Sequence, residues 1–264
     1  MSKELQNLLL APSRIQCDVI GIPVDVGSIK NISQDLIEQA NHQATTGKYI
    51  CVANVHMLTI AQENPLFKMV LEKAHLVIAD GMPLVWTQKR KGFEQAQRVS
   101  GPDLMLELCK LSADSGHSIF LLGTDDVTLM KLSEKLLEQF PKLKIAGHYA
   151  PDHLPENPPL DEALAHKINA SGASFLFVGL GCPKQELWCS TFAPHLNLIS
   201  IGVGAAFDFH SGKKKRPPLW VQQAGLEWGF RLLSEPGRLW KRYLVSNSKF
   251  VYLSMVYFFK SKRS

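Results

Sequence analysis

A chain of 264 residues with 45% hydrophobic content and a net charge of +5 can bury a substantial core, as one large domain or as a domain with an appendage. It contains no run of about 20 apolar residues, the length a membrane-crossing helix needs. The apolar piece Leu8 to Ala11 is too short for a secretion signal, so the expected compartment is the cytosol. Five cysteines, Cys17, Cys51, Cys109, Cys182 and Cys189, form neither a CxxC pair nor an even set, which speaks against a disulfide framework or a zinc cluster.

In chain order, short apolar runs rich in β-branched residues occur at Cys17 to Ile22, Tyr49 to Ala53, Leu76 to Ala79, Ser118 to Leu122, Leu143 to Ala146, Ser174 to Gly179 and Leu198 to Val203. Helical spacing of apolar residues fills most of the gaps, at Ile32 to Gln43, Leu104 to Ser115, Thr128 to Gln139 and Leu160 to Ser171. Strands alternating with helices predict a doubly wound α/β fold, a mainly parallel Rossmann-like sheet covered on both faces. Ligands of such sheets bind beyond the carboxyl ends of the strands. The residues there are Ala53 to His56, Asp80-Gly81, Gly123 to Asp125, Tyr149, Gly179 to Glu186 and Gly202 to Asp208.

Asp80 closes the buried run HLVIAD and is followed by glycine. That position suits a general base at the mouth of the sheet, or a cap for the next helix. Asn54 ends the preceding strand with a donor and an acceptor fit for a sugar hydroxyl. Gly123, Thr124, Gly181 and Gly204 sit where backbone can approach a ligand closely, or simply make tight turns. Lys184 can meet a phosphate and Gln185 a sugar. Asp208 ends the last strand of the body, where it can hold a ribose or cap the following turn. Neither Gly179-Leu180-Gly181 nor Gly202-Val203-Gly204 completes a dinucleotide fingerprint, so a nicotinamide cofactor is not expected. With no DxD and no His/Asp/Glu cluster, neither is a catalytic metal.

The charge is uneven. Residues 1–209 carry 17 Lys+Arg against 22 Asp+Glu, whereas 210–264 carry 12 against Glu227 and Glu235 alone, together with ten of the 23 aromatic residues. This divides the chain into an acidic α/β domain, 1–209, and a basic, amphipathic, helical C-terminal appendage, 210–264. The appendage suits an anionic membrane surface or a phosphorylated ligand, with no nucleic acid expected. Lys213 to Arg216 reads as a solvated loop. A helix is expected over Leu219 to Leu233, ending before Pro236, with a second starting there. On the second, Arg238 and Arg242 share a face and with Arg231 can converge on a diphosphate. The run Phe250 to Phe259, flanked by cations, fits a segment lying in a membrane interface or a buried subunit contact.

These motifs resemble the WecG/TagA/CpsF glycosyltransferases of bacterial cell-envelope and exopolysaccharide synthesis, over about Asp18 to Tyr243. The matching stretches are VANVHMLTIA, ADGMPLVW, RVSGPDL, GLGCPKQELW, GVGAAFDFHSG and GLEWGFRLLSEPGRLWKRY. The resemblance implies transfer of a sugar from a UDP-sugar to a saccharide on polyprenyl diphosphate, with inversion and without a metal or other cofactor. It implies that Asp80 is the base, that Asn54 and Gln185 position substrate, and that the appendage closes over the site with Arg231, Arg238 and Lys241-Arg242 near the pyrophosphate. It also implies peripheral association with the inner face of the cell membrane and allows a homo-oligomer. Many relatives have Thr where this chain has Val52, and relatives use UDP-N-acetylmannosamine, UDP-glucose, UDP-glucuronate or UDP-N-acetylmannosaminuronate. A non-catalytic nucleotide-sugar or anionic-lipid binding module on the same fold is the alternative reading.

Overall fold

The computed structural model describes residues 14–42 and 45–261, with the side chains at 223, 238, 258, 260 and 261 left outside the description. The chain opens with β1 (Gln16–Val19), β2 (Ile22–Asp25) and α1 (Ile29–Asn41), then β3 (Tyr49–Ala53), α2 (Val55–Glu63) and α3 (Pro65–Lys73). Next come β4 (Leu76–Ala79), α4 (Met82–Arg90), α5 (Gly101–Ser115), β5 (Ser118–Gly123), α6 (Asp126–Gln139) and β6 (Lys144–Tyr149). The body closes with α7 (Glu162–Ala170), β7 (Phe175–Gly179), α8 (Lys184–Phe192), β8 (Ile199–Gly202) and α9 (Ala206–His210). The basic tail forms α10 (Leu219–Gln223), α11 (Glu227–Ser234) and α12 (Pro236–Ser261).

One eight-stranded sheet has the order β1-β2-β4-β3-β8-β7-β5-β6 and is parallel except for the β1/β2 hairpin. Strands β3, β4 and β8 are buried along their whole length, as apolar strands covered on both faces must be. Met57, Leu71, Trp188 and Phe192 pack on one face of the sheet. Leu36, Leu104, Leu132 and Phe207 pack on the other. The doubly wound reading is correct.

Two expectations need correction. The run Cys17 to Ile22 is a hairpin rather than one strand: Ile20 and Gly21 turn the chain at φ 48° and φ 80°, the two positive angles of a two-residue hairpin turn. Isoleucine disguises the turn, because it is apolar and disfavours that conformation. The expected helix over Leu219 to Leu233 is two helices, because Gly225 adopts φ 72° between them.

Helix α12 lies along α2. Ser246, Lys249, Phe250, Leu253 and Tyr257 follow three- and four-residue spacing and so share one face. Ser246 Oγ is 2.9 Å from His56 Nδ1, Lys249 pairs with Glu63, and Phe250 enters the core beside Leu253. Tyr257 covers Gly21 so closely that a Cβ there would meet its hydroxyl at 2.5 Å. Leu244, Val251, Tyr252, Met255 and Phe259 remain exposed on other faces of α12. The Phe250 to Phe259 run is therefore docked along one side and bare along another. Of the cations that follow this run, Lys262 and Arg263 lie outside the described residues.

Candidate active site

Strands β3 and β8 are neighbours, yet α2 follows the first on one face of the sheet and α9 follows the second on the other. Such a divergence opens a crevice at the carboxyl ends. A cavity of about 390 Å³ occupies it, a size usual for small-ligand sites. Asn54, Asp80, Thr124, Gly181 and Gly204 reach it from the ends of five strands, and Arg231 and Arg242 of the appendage form its far wall. A second cavity of about 150 Å³ lies between α2, α4 and the appendage. The two share Asn54, Asp80, Glu227, Arg231 and Arg242.

Asp80 lies just past β4, where its backbone N–H donates to Ala53 O at 2.8 Å. Gly81, not Asp80, is the N-cap of α4, which removes the capping role. Arg98 fixes the residue from below: Nε donates to the Asp80 carbonyl at 2.5 Å and Nη2 to Oδ1 at 3.0 Å. The same Nη2 donates to Glu227 Oε2 at 2.7 Å, so one guanidinium joins the sheet end to α11. The Asp80 side chain is 26% exposed, Arg98 17% and Glu227 16%. Burial pushes the Asp80 carboxyl above the usual carboxylate range; Arg98 opposes the shift and Glu227 adds to it. A carboxylate whose proton affinity is raised while it borders a cavity is suited to accept a proton.

Asn54 caps α2, its Oδ1 accepting from Met57 N at 3.2 Å, and it lines both cavities. Gln185 lines the larger cavity but is 3% exposed, and its amide is occupied by protein. Its Oε1 accepts from Gly181 N at 3.2 Å and Gly204 N at 3.1 Å, while Nε2 donates to Glu186 Oε1 at 2.7 Å. This corrects two expectations. Gln185 braces two strand-end loops rather than offering its amide to a sugar, and the N–H groups of Gly181 and Gly204 face that amide rather than a phosphate. Glu186 is fully buried beneath it, with burial pushing its carboxyl up to about 7. Its Oε2 has no hydrogen-bond partner.

Lys184 lines the larger cavity, and its Nζ donates to Leu154 O at 2.6 Å, tying down the loop after β6. Asp208 lines it as well, but from α9 rather than from a strand end, and pairs with Lys214 at 2.9 Å. Gly123 and Tyr149 line neither cavity. A Cβ on Gly123 would meet Gly179 O at 2.6 Å, so this glycine serves the close approach of β5 and β7. The Tyr149 ring instead lies 5.3 Å from Lys167 Nζ. The Arg238 side chain lies outside the described residues. The basic run is a loop in which Lys213 and Lys215 are exposed, as expected, Lys213 pairing with Asp125 at 2.7 Å. Its other two residues are half-buried rather than solvated: Lys214 also pairs with Glu235 at 3.2 Å, and Arg216 grips Asp103 at 2.6 and 2.7 Å.

Arg98, Glu227 and the loop from Pro151 to Leu154 are site residues that strand-end reasoning passed over. The loop follows Tyr149 and was reachable by the same rule taken a few residues further. Among the described residues no three His, Cys, Asp or Glu side chains gather to hold a metal ion.

Comparison with known proteins agrees with this geometry. The model of the "Glycosyl transferase WecG/TagA/CpsF family" matches residues 17–264. An N-acetylglucosaminyldiphosphoundecaprenol N-acetyl-beta-D-mannosaminyltransferase of Bacillus spizizenii is 30% identical over 227 residues, 83% of this chain and 86% of the relative. A protein of the same name from Staphylococcus aureus strain MW2 is 26% identical over 247 residues, 93% of each chain. An α/β sheet with an acid at its carboxyl rim, matched to these relatives over nearly its whole length, makes the chain a glycosyltransferase that belongs to the WecG/TagA/CpsF family.

Proposed function

We propose that the protein transfers an N-acetylmannosaminyl residue from its UDP-activated form to N-acetylglucosamine carried on undecaprenyl diphosphate, with inversion and without a metal ion. The observation that carries this reading is Asp80, a carboxylate of raised proton affinity on the wall common to two cavities. In the proposed step the Asp80 carboxylate takes the proton of an acceptor hydroxyl. The hydroxyl oxygen bonds to the anomeric carbon, and the bond from that carbon to the UDP oxygen breaks with its electron pair going to the diphosphate. Arg231 and Arg242, lining both cavities, are suited to the charge that develops there, as guanidinium forks are for phosphate oxygens. Donor choice rests on the relatives' names; Val52, which lines the larger cavity, offers it no hydroxyl.

The protein is proposed to work against the inner face of the cell membrane. No helix among the described residues is long and apolar enough to cross one. The appendage nonetheless exposes Leu219, Trp220, Leu233, Trp240, Tyr252 and Phe259 within a segment rich in Lys and Arg, the composition of a surface that lies in the interface. The test is a panel of UDP-sugars incubated with a lipid-diphosphate-linked N-acetylglucosamine, with UDP release and the product's anomeric configuration as readouts. Preferred turnover of UDP-N-acetylmannosamine to a β-linked product is expected. Binding of UDP-sugars without any transfer would favour the non-catalytic alternative.

A further inference from the structure

We infer that the smaller cavity is the acceptor subsite: it takes the acceptor's sugar ring, while the larger one takes the nucleotide-sugar. This deepens the proposed reaction and rests on it. The larger cavity has between two and three times the volume of the smaller. A space of about 150 Å³ is one that a single six-membered ring fills, too small for a nucleotide. The base of an inverting transfer must touch the incoming hydroxyl while the leaving group departs on the far side of the anomeric carbon. Asp80 meets that demand only where it borders both ligands, and it lines both cavities.

The lining of the smaller cavity is of the kind that holds a sugar. Trp228, 45% exposed, meets Tyr243 edge-on at 6.0 Å between ring centroids, leaving an indole surface for the apolar face of a pyranose. Gln222, Asn247 and His56 supply amide and imidazole groups around it. His56 is held neutral at physiological pH, burial and then Arg242 pushing it down to about 4; Ser246 Oγ takes its Nδ1 at 2.9 Å, which leaves Nε2 as the ring nitrogen for a sugar hydroxyl. The rim continues the argument. Gly225 lines the cavity, and a Cβ there would stand 3.0 Å from Met82 and 3.5 Å from Trp86. Trp86 and Leu226, which follows Gly225, are both about half exposed. A polyprenyl chain leaving the sugar's diphosphate would run onto this apolar rim.

The test uses the full chain with Trp228→Ala, which removes the platform, and Asn247→Trp, which fills the space from the opposite helix. The readouts are UDP affinity, slow hydrolysis of the UDP-sugar without acceptor, and KM for a short-chain lipid-diphosphate-linked N-acetylglucosamine. Loss of one aromatic contact of this kind is worth about tenfold or more. The expected result is a rise of that size in acceptor KM in either variant, with UDP affinity and donor hydrolysis unchanged within about twofold. An unchanged acceptor KM in a folded variant, or a loss confined to UDP affinity, overturns the assignment. Should the unmodified protein bind no UDP and transfer no sugar, the proposed reaction itself is what fails.

Discussion

Replacing Arg98 with methionine isolates the electrostatics of the site, because it removes the guanidinium and keeps most of the bulk. Two carboxylates, Asp80 at 26% exposure and Glu227 at 16%, then lose the guanidinium that joins them, with Arg231 left as the cation acting on Asp80. Breaking a buried ion pair from one side costs about 3–5 kcal/mol, and the partial exposure here puts the expectation near the lower end, about 3 kcal/mol in urea unfolding at neutral pH. The catalytic consequence has a definite sign. Arg98 lowers the Asp80 pKa against burial and Glu227, so its removal raises that pKa further and leaves less of the base ionised. One charge-assisted hydrogen bond is worth about 1.5–3 kcal/mol, which at about 1.4 kcal/mol per decade predicts a loss on the order of 10- to 100-fold in kcat/KM on the acidic limb, where pH lies below the Asp80 pKa. The acidic limb of the pH profile should move to higher pH, and the deficit should shrink as the medium becomes alkaline. A limb that stays in place or moves to lower pH refutes the reasoning, whatever the absolute rate.

Gln185→Leu leaves the half-buried N–H groups of Gly181 and Gly204 without their acceptor; at about 0.5–1.5 kcal/mol for each hydrogen bond lost, a loss of about 1–3 kcal/mol is expected by denaturant titration, together with weaker UDP binding. Glu186→Gln should make stability less dependent on pH. Its carboxyl is raised from 4.5 to about 7, so the folded state holds the proton more tightly: the contribution is fully present below pH 4.5 and is lost as pH rises to about 7. The variant should match the unmodified protein at pH 4 and exceed it by about 3 kcal/mol at pH 8, and equal stability curves at both values would refute this. Binding to anionic vesicles should weaken steeply between 0.1 and 0.5 M salt, because the Debye length shrinks; salt-independent binding to neutral vesicles would contradict the electrostatic part of the membrane proposal.

The parallel sheet was legible because buried strands of this kind are continuous β-branched runs, as Tyr49–Ala53 and Leu76–Ala79 are. Asp80 stood out by the same logic, as a charge ending such a run. The hairpin at Ile20-Gly21 was not legible, since its turn residue is apolar and buried. The partnership of Arg98 with Glu227 spans 129 residues and leaves no local trace in spacing or composition. Gln185 was marked by its motif, but only the fold reveals that both ends of its amide are engaged by backbone and Glu186. The half-buried Lys214 and Arg216 of the basic run were not legible for a related reason: their partners Asp208 and Asp103 sit on α9 and α5.

The most direct measurement is sugar transfer by Asp80→Asn, read beside UDP affinity and thermal stability of the same preparation. A positioned general base contributes about 10²–10⁴-fold, and the amide keeps the shape of the carboxylate. The account predicts a loss of that size with UDP binding retained and a fold that still melts cooperatively. Turnover within a few-fold of the unmodified protein would contradict it.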